Sequence, residues 1–248
     1  MEARFESGGL QLRAHLARPW GGARPDGLVL CHGFPAGPRG AATSAQTYPQ
    51  FADRLAAELG WPVLTFNFRG TGASEGDFSL GGWLADLRAA IDHLEGRGVE
   101  AVWLAGFSTG GSLALCAAGE DERVHGVASL AAPAELDAWA ADPDLLLAHA
   151  REIGVIRAAA FPPDAVAWAR ELRETRPLDL VGKIPPRPLL LVHGLDDDVV
   201  PPAHARELAD AADGRADLRL LPGAGHRLRH DPRAVAVLLG WLSRHRGS

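Results

Sequence analysis

A serine stands between glycines at the end of an apolar run, in the sequence AVWLAGFSTGG of residues 101–111. Gly106, Ser108 and Gly110 form the pattern G-x-S-x-G. In a sharp turn from strand to helix, such a pattern places the serine hydroxyl at a helix N-terminus, where developing negative charge is stabilised. The pattern therefore predicts a reactive serine. A glycine turn with a capping serine is the structural alternative, whereas a phosphate-binding loop would need the ending G-K-[ST], which is absent.

A serine becomes a useful nucleophile only beside a base that an acid orients. Two later loops contain such groups. Asp197 lies in HGLDDDVVP, residues 193–201, and His226 lies in PGAGHRLRHDP, residues 222–232. Each loop follows an apolar run that is typical of a buried strand. The order serine, acid, histidine is that of one particular fold.

Neighbouring residues leave the acid and the base open to alternatives. Asp197 is flanked by Asp198, the second candidate for the acid, and by Asp196, the third. His230 is the alternative to His226 as the base, but it adjoins Asp231, a predicted helix cap, which favours a surface position. His193 and Asp197 could serve as metal ligands, but a third ligand at a suitable spacing is missing.

The elements that must position these groups alternate between short apolar runs and amphipathic segments. This alternation predicts a mostly parallel sheet with helices on both faces, preceded by an N-terminal hairpin over residues 3–18. Further strands are expected at 27–33, 62–68, 101–106, 124–133, 187–194 and 216–223, and helices at 48–60, 80–98, 109–119, 203–212 and 231–245.

The alternation breaks at about 134–180, where three helical stretches and no strand are expected. This segment is short and is flanked by strands of one sheet. The sequence therefore predicts a single domain over residues 1–248 with a helical cap at about 134–180. Ligands bind outside the carboxyl ends of parallel strands, so the cap would cover the edge that carries the serine.

The three loops together resemble the α/β-hydrolase family over nearly the whole chain. In that family the acid lies in a loop similar to H-G-x-x-D-x-x-V-P, and the matching residues here are His193, Gly194, Asp197, Val200 and Pro201. The spacing of this motif selects Asp197 as the acid. The resemblance implies an α/β-hydrolase fold with a central sheet of about eight strands.

The resemblance also implies an oxyanion hole made by the backbone amides of Phe34 and Thr109. Phe34 follows a histidine–glycine turn after an early strand, and Thr109 follows the proposed nucleophile. His32 in that turn is expected to bond loop backbone rather than to act as a second base. Arg69 begins a turn, RGTGASEG, that resembles the scaffold of the family's oxyanion loop, and we expect it to bind backbone or a carboxylate.

The implied activity is that of a serine hydrolase that cleaves carboxylic esters with short- to medium-chain acyl groups through an acyl-enzyme on Ser108. A peptidase or amidase, or a thioesterase or acyltransferase, could use the same three residues. The resemblance implies no metal and no organic cofactor. Several apolar residues in the cap, among them Trp139, Leu145 and Leu146, suggest an apolar acyl or alcohol group, although packing onto the sheet is the better explanation for most of them.

Composition and charge argue against several other classes of protein. The chain has 248 residues, a net charge of -6 and no basic stripe, so a small-molecule ester rather than a nucleic acid is expected as its partner. It has no apolar run long enough to cross a membrane and no signal-like N-terminus, and its two cysteines are expected to be buried free thiols. These features predict a cytoplasmic protein, and they leave monomer and homodimer open.

Overall fold

The computed structural model describes residues 1–19, 25–37, 40–43 and 45–245. Its centre is an eight-stranded sheet with the strand order β1-β2-β4-β3-β5-β6-β7-β8. The antiparallel pairs are β1 with β2 and β2 with β4, while every pair from β4–β3 to β7–β8 is parallel. The strands are β1 Glu2–Ser7, β2 Leu10–Ala17, β3 Asp26–Cys31, β4 Val63–Phe66, β5 Ala101–Phe107, β6 Val124–Leu130, β7 Leu189–Gly194 and β8 Asp217–Leu221. The predicted fold class is confirmed.

Helices cover both faces of this sheet, as the fully buried strands β3, β4 and β7 require. One core layer lies between the sheet and α3 and α4, and the other lies between the sheet and α2 and α10. The helices are α1 Gly40–Thr43, α2 Tyr48–Leu59, α3 Leu80–Glu95, α4 Thr109–Glu120, α5 Asp137–Ala141, α6 Pro143–Glu152, α7 Ala165–Glu174, α8 Pro177–Leu180, α9 Ala203–Ala211 and α10 Pro232–Arg244.

Capping residues mark the beginning of helix α10 and the end of helix α2. Asp231 caps α10 by accepting a hydrogen bond from the Arg233 amide at 2.8 Å, and Pro232 occupies the first turn, where its missing N–H costs nothing. Helix α2 ends at Gly60, whose φ of +74° suits glycine. Both boundaries agree with those expected from the sequence.

The segment between β6 and β7 contains helices α5 to α8 and, in the described structure, no strand. The three predicted helical stretches correspond to α5, α6 and α7, whereas the short helices α8 and α1 were not predicted. Trp168 on α7 ties this segment to the main body, because its indole N–H donates to the Phe78 carbonyl at 3.0 Å. None of the helices described has the length and apolar character needed to cross a bilayer.

Candidate active site

Ser108 lies at the turn between β5 and α4 and has a strained backbone, with φ of +52°. Such a conformation is rare for a residue with a side chain and is retained only where the surroundings enforce it. The flanking glycines allow the turn to be this tight. A Cβ on Gly106 would overlap the Gly110 carbonyl, and a Cβ on Gly110 would overlap the His32 carbonyl. The backbone thus holds the Ser108 side chain at the carboxyl edge of the sheet.

A continuous hydrogen-bond chain joins Ser108 to the loops that follow β8 and β7. The Ser108 Oγ lies 3.0 Å from His226 Nε2, and His226 Nδ1 lies 2.9 Å from Asp197 Oδ2. With a carboxylate oxygen of Asp197 as the acceptor, His226 Nδ1 is the donor and carries the ring proton. Nε2 is then free to accept the hydroxyl proton of Ser108. The structure thus brings together the three residues selected from the sequence.

Three hydrogen-bond donors contact the Asp197 carboxylate, which is fully buried. The Val199 and Val200 amides donate to Oδ1 at 2.9 and 2.8 Å, and His226 binds Oδ2. His193 Nε2 also lies 3.2 Å from Oδ2, but its hydrogen bond goes to the Val200 carbonyl at 2.9 Å. Burial lowers the pKa of His193, which favours a neutral imidazole beside the carboxylate.

The two alternative acids do not occupy this position. Asp196 and Asp198 are both exposed, and Asp198 faces the cavity in front of the serine. The alternative base, His230, is also exposed and its Nε2 lies 2.8 Å from the Arg229 guanidinium. The geometry thus separates Asp197 and His226 from their sequence neighbours.

Phe34 and Thr109 line the same cavity as Ser108. Thr109 is the first residue of α4, where a backbone N–H has no partner within the helix. Neither amide donates to another described residue. The loop before Phe34 packs directly on the serine, since a Cβ on Gly33 would lie 2.8 Å from the Ser108 Cβ. The residues next to the serine in chain and in space therefore carry two uncommitted donors.

His32 supports this loop from behind. Its Nδ1 donates to the Gly33 carbonyl at 2.7 Å, and its Nε2 accepts from the Phe68 amide at 3.4 Å. Burial lowers the pKa of His32 to about 4, so the imidazole is neutral, as these hydrogen bonds require. Arg69, in the neighbouring turn, pairs with the fully buried Asp86 at 2.6 Å.

A model of the alpha/beta hydrolase family matches residues 28–238. The chain belongs to this family. The hydrolase fold accounts for the strand order and for the loops that carry Ser108, Asp197 and His226 at one sheet edge. Residues 134–180 lie within the matched range.

Individual relatives are more distant. A curated relative, the uncharacterized protein YfhR of Escherichia coli O157:H7, is 25% identical over 172 residues, which are 68% of this chain and 54% of that protein. The chain thus spans about half the length of the curated relative it matches. Among solved structures, an esterase domain from Rhodothermus marinus is 26% identical with a TM-score of 0.71, each chain being covered to 98%. Est1E from Butyrivibrio proteoclasticus is 20% identical with a TM-score of 0.72, with 98% and 96% covered.

In front of the serine lies a cavity of about 1330 Å³. Its walls come from the Phe34 loop, the nucleophile turn, α5 and α6, and the loops that carry Asp197 and His226. Its volume exceeds that of most small-molecule sites and leaves room for both parts of a substrate. Ser108 therefore faces a large open cavity that is bordered by helices α5 and α6.

Sequence reasoning missed two parts of this site. The contact of His193 with Asp197 was not foreseen, although both belong to the motif H-G-x-x-D. The place of His149 of α6 in the cavity wall was not foreseen either, whereas its neighbour Leu146 was among the apolar cap residues named from the sequence. The spacing of the motif was a usable signal for the first, while the second depends on how α5 and α6 pack.

Proposed function

We propose that this protein is a serine hydrolase that cleaves carboxylic esters through an acyl-enzyme on Ser108. The observation that carries the proposal is the hydrogen-bond chain from Ser108 through His226 to the buried Asp197, which opens onto the cavity. This arrangement suits nucleophilic attack, because the base and its orienting acid are both within hydrogen-bond reach.

In the first half of the reaction, Ser108 Oγ attacks the carbonyl carbon of the ester and its proton passes to His226 Nε2. The carbonyl oxygen becomes an oxyanion and accepts hydrogen bonds from the Phe34 and Thr109 amides. A donor of this kind contributes about 2.7–4 kcal/mol to the stability of the transition state in other hydrolases. The intermediate collapses when the carbon–oxygen bond to the alcohol breaks, and the alcohol leaves with the proton from His226.

The second half reverses these roles with water. His226 removes a proton from a water molecule, which attacks the acyl carbon, and the Ser108 ester bond then breaks as the serine regains a proton. The Asp197 carboxylate stabilises the imidazolium that forms twice in each cycle and does not take its proton. The buried position of Asp197 and its two amide donors, from Val199 and Val200, support this role.

We further propose that the helical segment at 134–180 acts as a cap in a single domain. Trp139 and Leu146 of this segment face the cavity, as does the Phe34 side chain. An apolar acyl group is therefore the expected substrate part on this side.

The test is an activity panel with the Ser108→Ala variant. We expect 4-nitrophenyl butanoate to be hydrolysed by the parent and not measurably by Ser108→Ala, with the melting temperature unchanged. Ser129→Ala is the matched control, since this buried hydroxyl on the adjacent strand has no hydrogen-bond partner among the described groups. Butanoate hydrolysis that survives in Ser108→Ala would contradict the proposal. Faster turnover of an aminoacyl amide or an acyl-CoA would move it to the peptidase or thioesterase class.

A further inference from the structure

The loop after β7 carries Asp197, and its two halves are held in place differently. In the first half, the Leu195 amide donates to the Leu221 carbonyl at 3.0 Å, and the Asp196 amide donates to the Ala224 carbonyl at 3.0 Å. Both acceptors belong to the end of β8 or to the loop that follows it. Main-chain hydrogen bonds therefore fasten the first half of the loop to its neighbour without help from side chains.

The second half is held by a side chain. Val199 and Val200 direct their amides at Asp197 Oδ1, and neither takes part in a main-chain hydrogen bond with the rest of the described chain. The Val200 carbonyl accepts instead from His193 Nε2 at 2.9 Å. His193 belongs to β7, so this hydrogen bond fastens the far end of the loop to the sheet.

His193 is placed to act on the acid and not on a substrate. Its side chain is only 1% exposed, and it is not among the residues that line the cavity in front of Ser108. Any influence on the reaction must therefore pass through the loop. The route is short, because His193 Nε2 also lies 3.2 Å from Asp197 Oδ2, the oxygen that binds His226.

A neutral imidazole suits this position, because it donates a hydrogen bond without bringing a charge. Burial lowers the pKa of His193, which favours the neutral ring. A cation at the same place would compete with His226 for the Asp197 carboxylate. An apolar side chain would leave the Val200 carbonyl without its donor.

We propose that His193 is a positioning residue for the reaction of Ser108. Through its bond to Val200, it holds the loop so that the Asp197 carboxylate faces His226. This inference rests on the proposed function. Because the Val200 amide helps to fix Oδ1, release of Val200 would free the carboxylate to turn away from the imidazole.

A matched pair of amides tests the hydrogen bond itself. His193→Gln places an amide nitrogen near the position of the imidazole Nε2, whereas His193→Asn is one methylene shorter and does not reach the Val200 carbonyl. We expect His193→Asn to lower kcat on 4-nitrophenyl butanoate about 100-fold, since a small displacement of a catalytic group can cost that much. His193→Ala, which also lacks the donor, should lose as much. His193→Gln should retain kcat to within about threefold, because it keeps a neutral donor.

A double-mutant cycle separates positioning from stability. When His193→Asn is added to Asp197→Asn, kcat should fall by no more than about threefold, because the carboxylate that His193 positions is already absent. Leu16→Ala is the stability control, since it opens a cavity in the core beside β2 and should lower the melting temperature while kcat is retained. KM for the butanoate should stay within about twofold in each variant, as expected for residues outside the cavity wall.

Three results would overturn the inference. They are equal kcat values for His193→Asn and His193→Gln, losses that multiply in the double variant, and a loss of kcat in Leu16→Ala as large as that in His193→Asn. Failure of the proposed function looks different, because Ser108→Ala would then hydrolyse the butanoate or the parent would not.

Discussion

The sheet edge and the helical segment above it are held in place by different forces. At the sheet edge, Gly106 and Gly110 leave no room for a side chain, and the backbone of Ser108 has a strained φ that the turn enforces. In the segment at 134–180, Trp139 and Leu146 are held by contacts between side chains, such as the ring contact of Trp139 with Phe34. Main-chain geometry thus positions the groups that we propose react, and side-chain packing shapes the cavity in front of them.

This difference has a functional consequence. A reacting atom displaced by 1 Å can lose much of the rate, so its position must depend on parts that have a single arrangement. A pocket wall tolerates exchange of one apolar side chain for another with modest cost. Substitutions at the sheet edge are therefore expected to reduce kcat strongly, and substitutions in the helical segment to change stability or substrate choice.

The largest effect is expected from His226→Ala, with kcat lowered about 10⁶-fold, as for the base of serine hydrolases elsewhere. The variant removes the only described acceptor for the Ser108 hydroxyl proton. We would measure kcat on 4-nitrophenyl butanoate together with the melting temperature. His230→Ala separates the two candidate bases, and a loss at His230 as large as that at His226 would contradict the assignment.

A smaller loss, of about 10⁴-fold in kcat, is expected from Asp197→Asn, because an amide would favour the wrong tautomer of His226. The matched controls are Asp196→Asn and Asp198→Asn, which change the same group at the two exposed neighbours. These controls should retain at least a tenth of the parental kcat. A greater loss in Asp198→Asn than in Asp197→Asn would assign the acid to the neighbouring position.

The buried His32 should make the stability of the protein depend on pH. The pKa of His32 is about 4 in the folded protein and near 6.5 in the unfolded chain. The unfolded state therefore binds a proton first as the pH falls below 6.5, and the free energy of unfolding drops by about 3 kcal/mol by pH 4. Burial of His193 acts with the same sign.

Urea unfolding at pH 7, 5.5 and 4 measures this dependence. In His32→Gln the unfolding free energy should vary less with pH over this range, while the variant is already less stable than the parent at pH 7. A pH dependence as steep as that of the parent would show that His32 is not the group responsible.

The smallest effect is expected in the helical segment. Trp168→Phe removes the hydrogen bond to the Phe78 carbonyl and should lower the free energy of unfolding by about 1 kcal/mol. Trp168 does not line the cavity, so kcat on 4-nitrophenyl butanoate should stay within twofold. Urea unfolding and steady-state kinetics on one preparation give both numbers. A drop in the kcat of Trp168→Phe as large as that of Asp197→Asn would contradict the expectation that substitutions in the helical segment leave kcat largely unchanged.

The parts of the structure that were predictable follow from local rules. The glycines around Ser108, the cap at Asp231 and the alternation of apolar runs each dictate a backbone state over a few residues. The fold class follows from family resemblance, and the motif spacing selected Asp197 over its two neighbours. These features require no knowledge of how distant segments pack.

The parts that were not predictable depend on packing between segments. The hollow of about 460 Å³ between α5 and α6 depends on how these two short helices pack against each other, which their own sequences do not determine. The short helix α8 has only four residues, too few for a periodic pattern. The contact of His193 with Asp197 arises because the loop after β7 folds back, with the Asp197 amide 3.4 Å from the Gly194 carbonyl.

Covalent trapping shows directly whether Ser108 is the nucleophile. Diethyl 4-nitrophenyl phosphate should transfer one diethylphosphoryl group to the Ser108 oxygen with loss of 4-nitrophenolate, and intact-mass and peptide mass spectrometry would locate the adduct. We expect one adduct per chain, on the peptide that contains Ser108, absent in Ser108→Ala and formed far more slowly in His226→Ala. An adduct on another residue, or continued ester hydrolysis by a protein whose Ser108 is fully modified, would contradict this expectation.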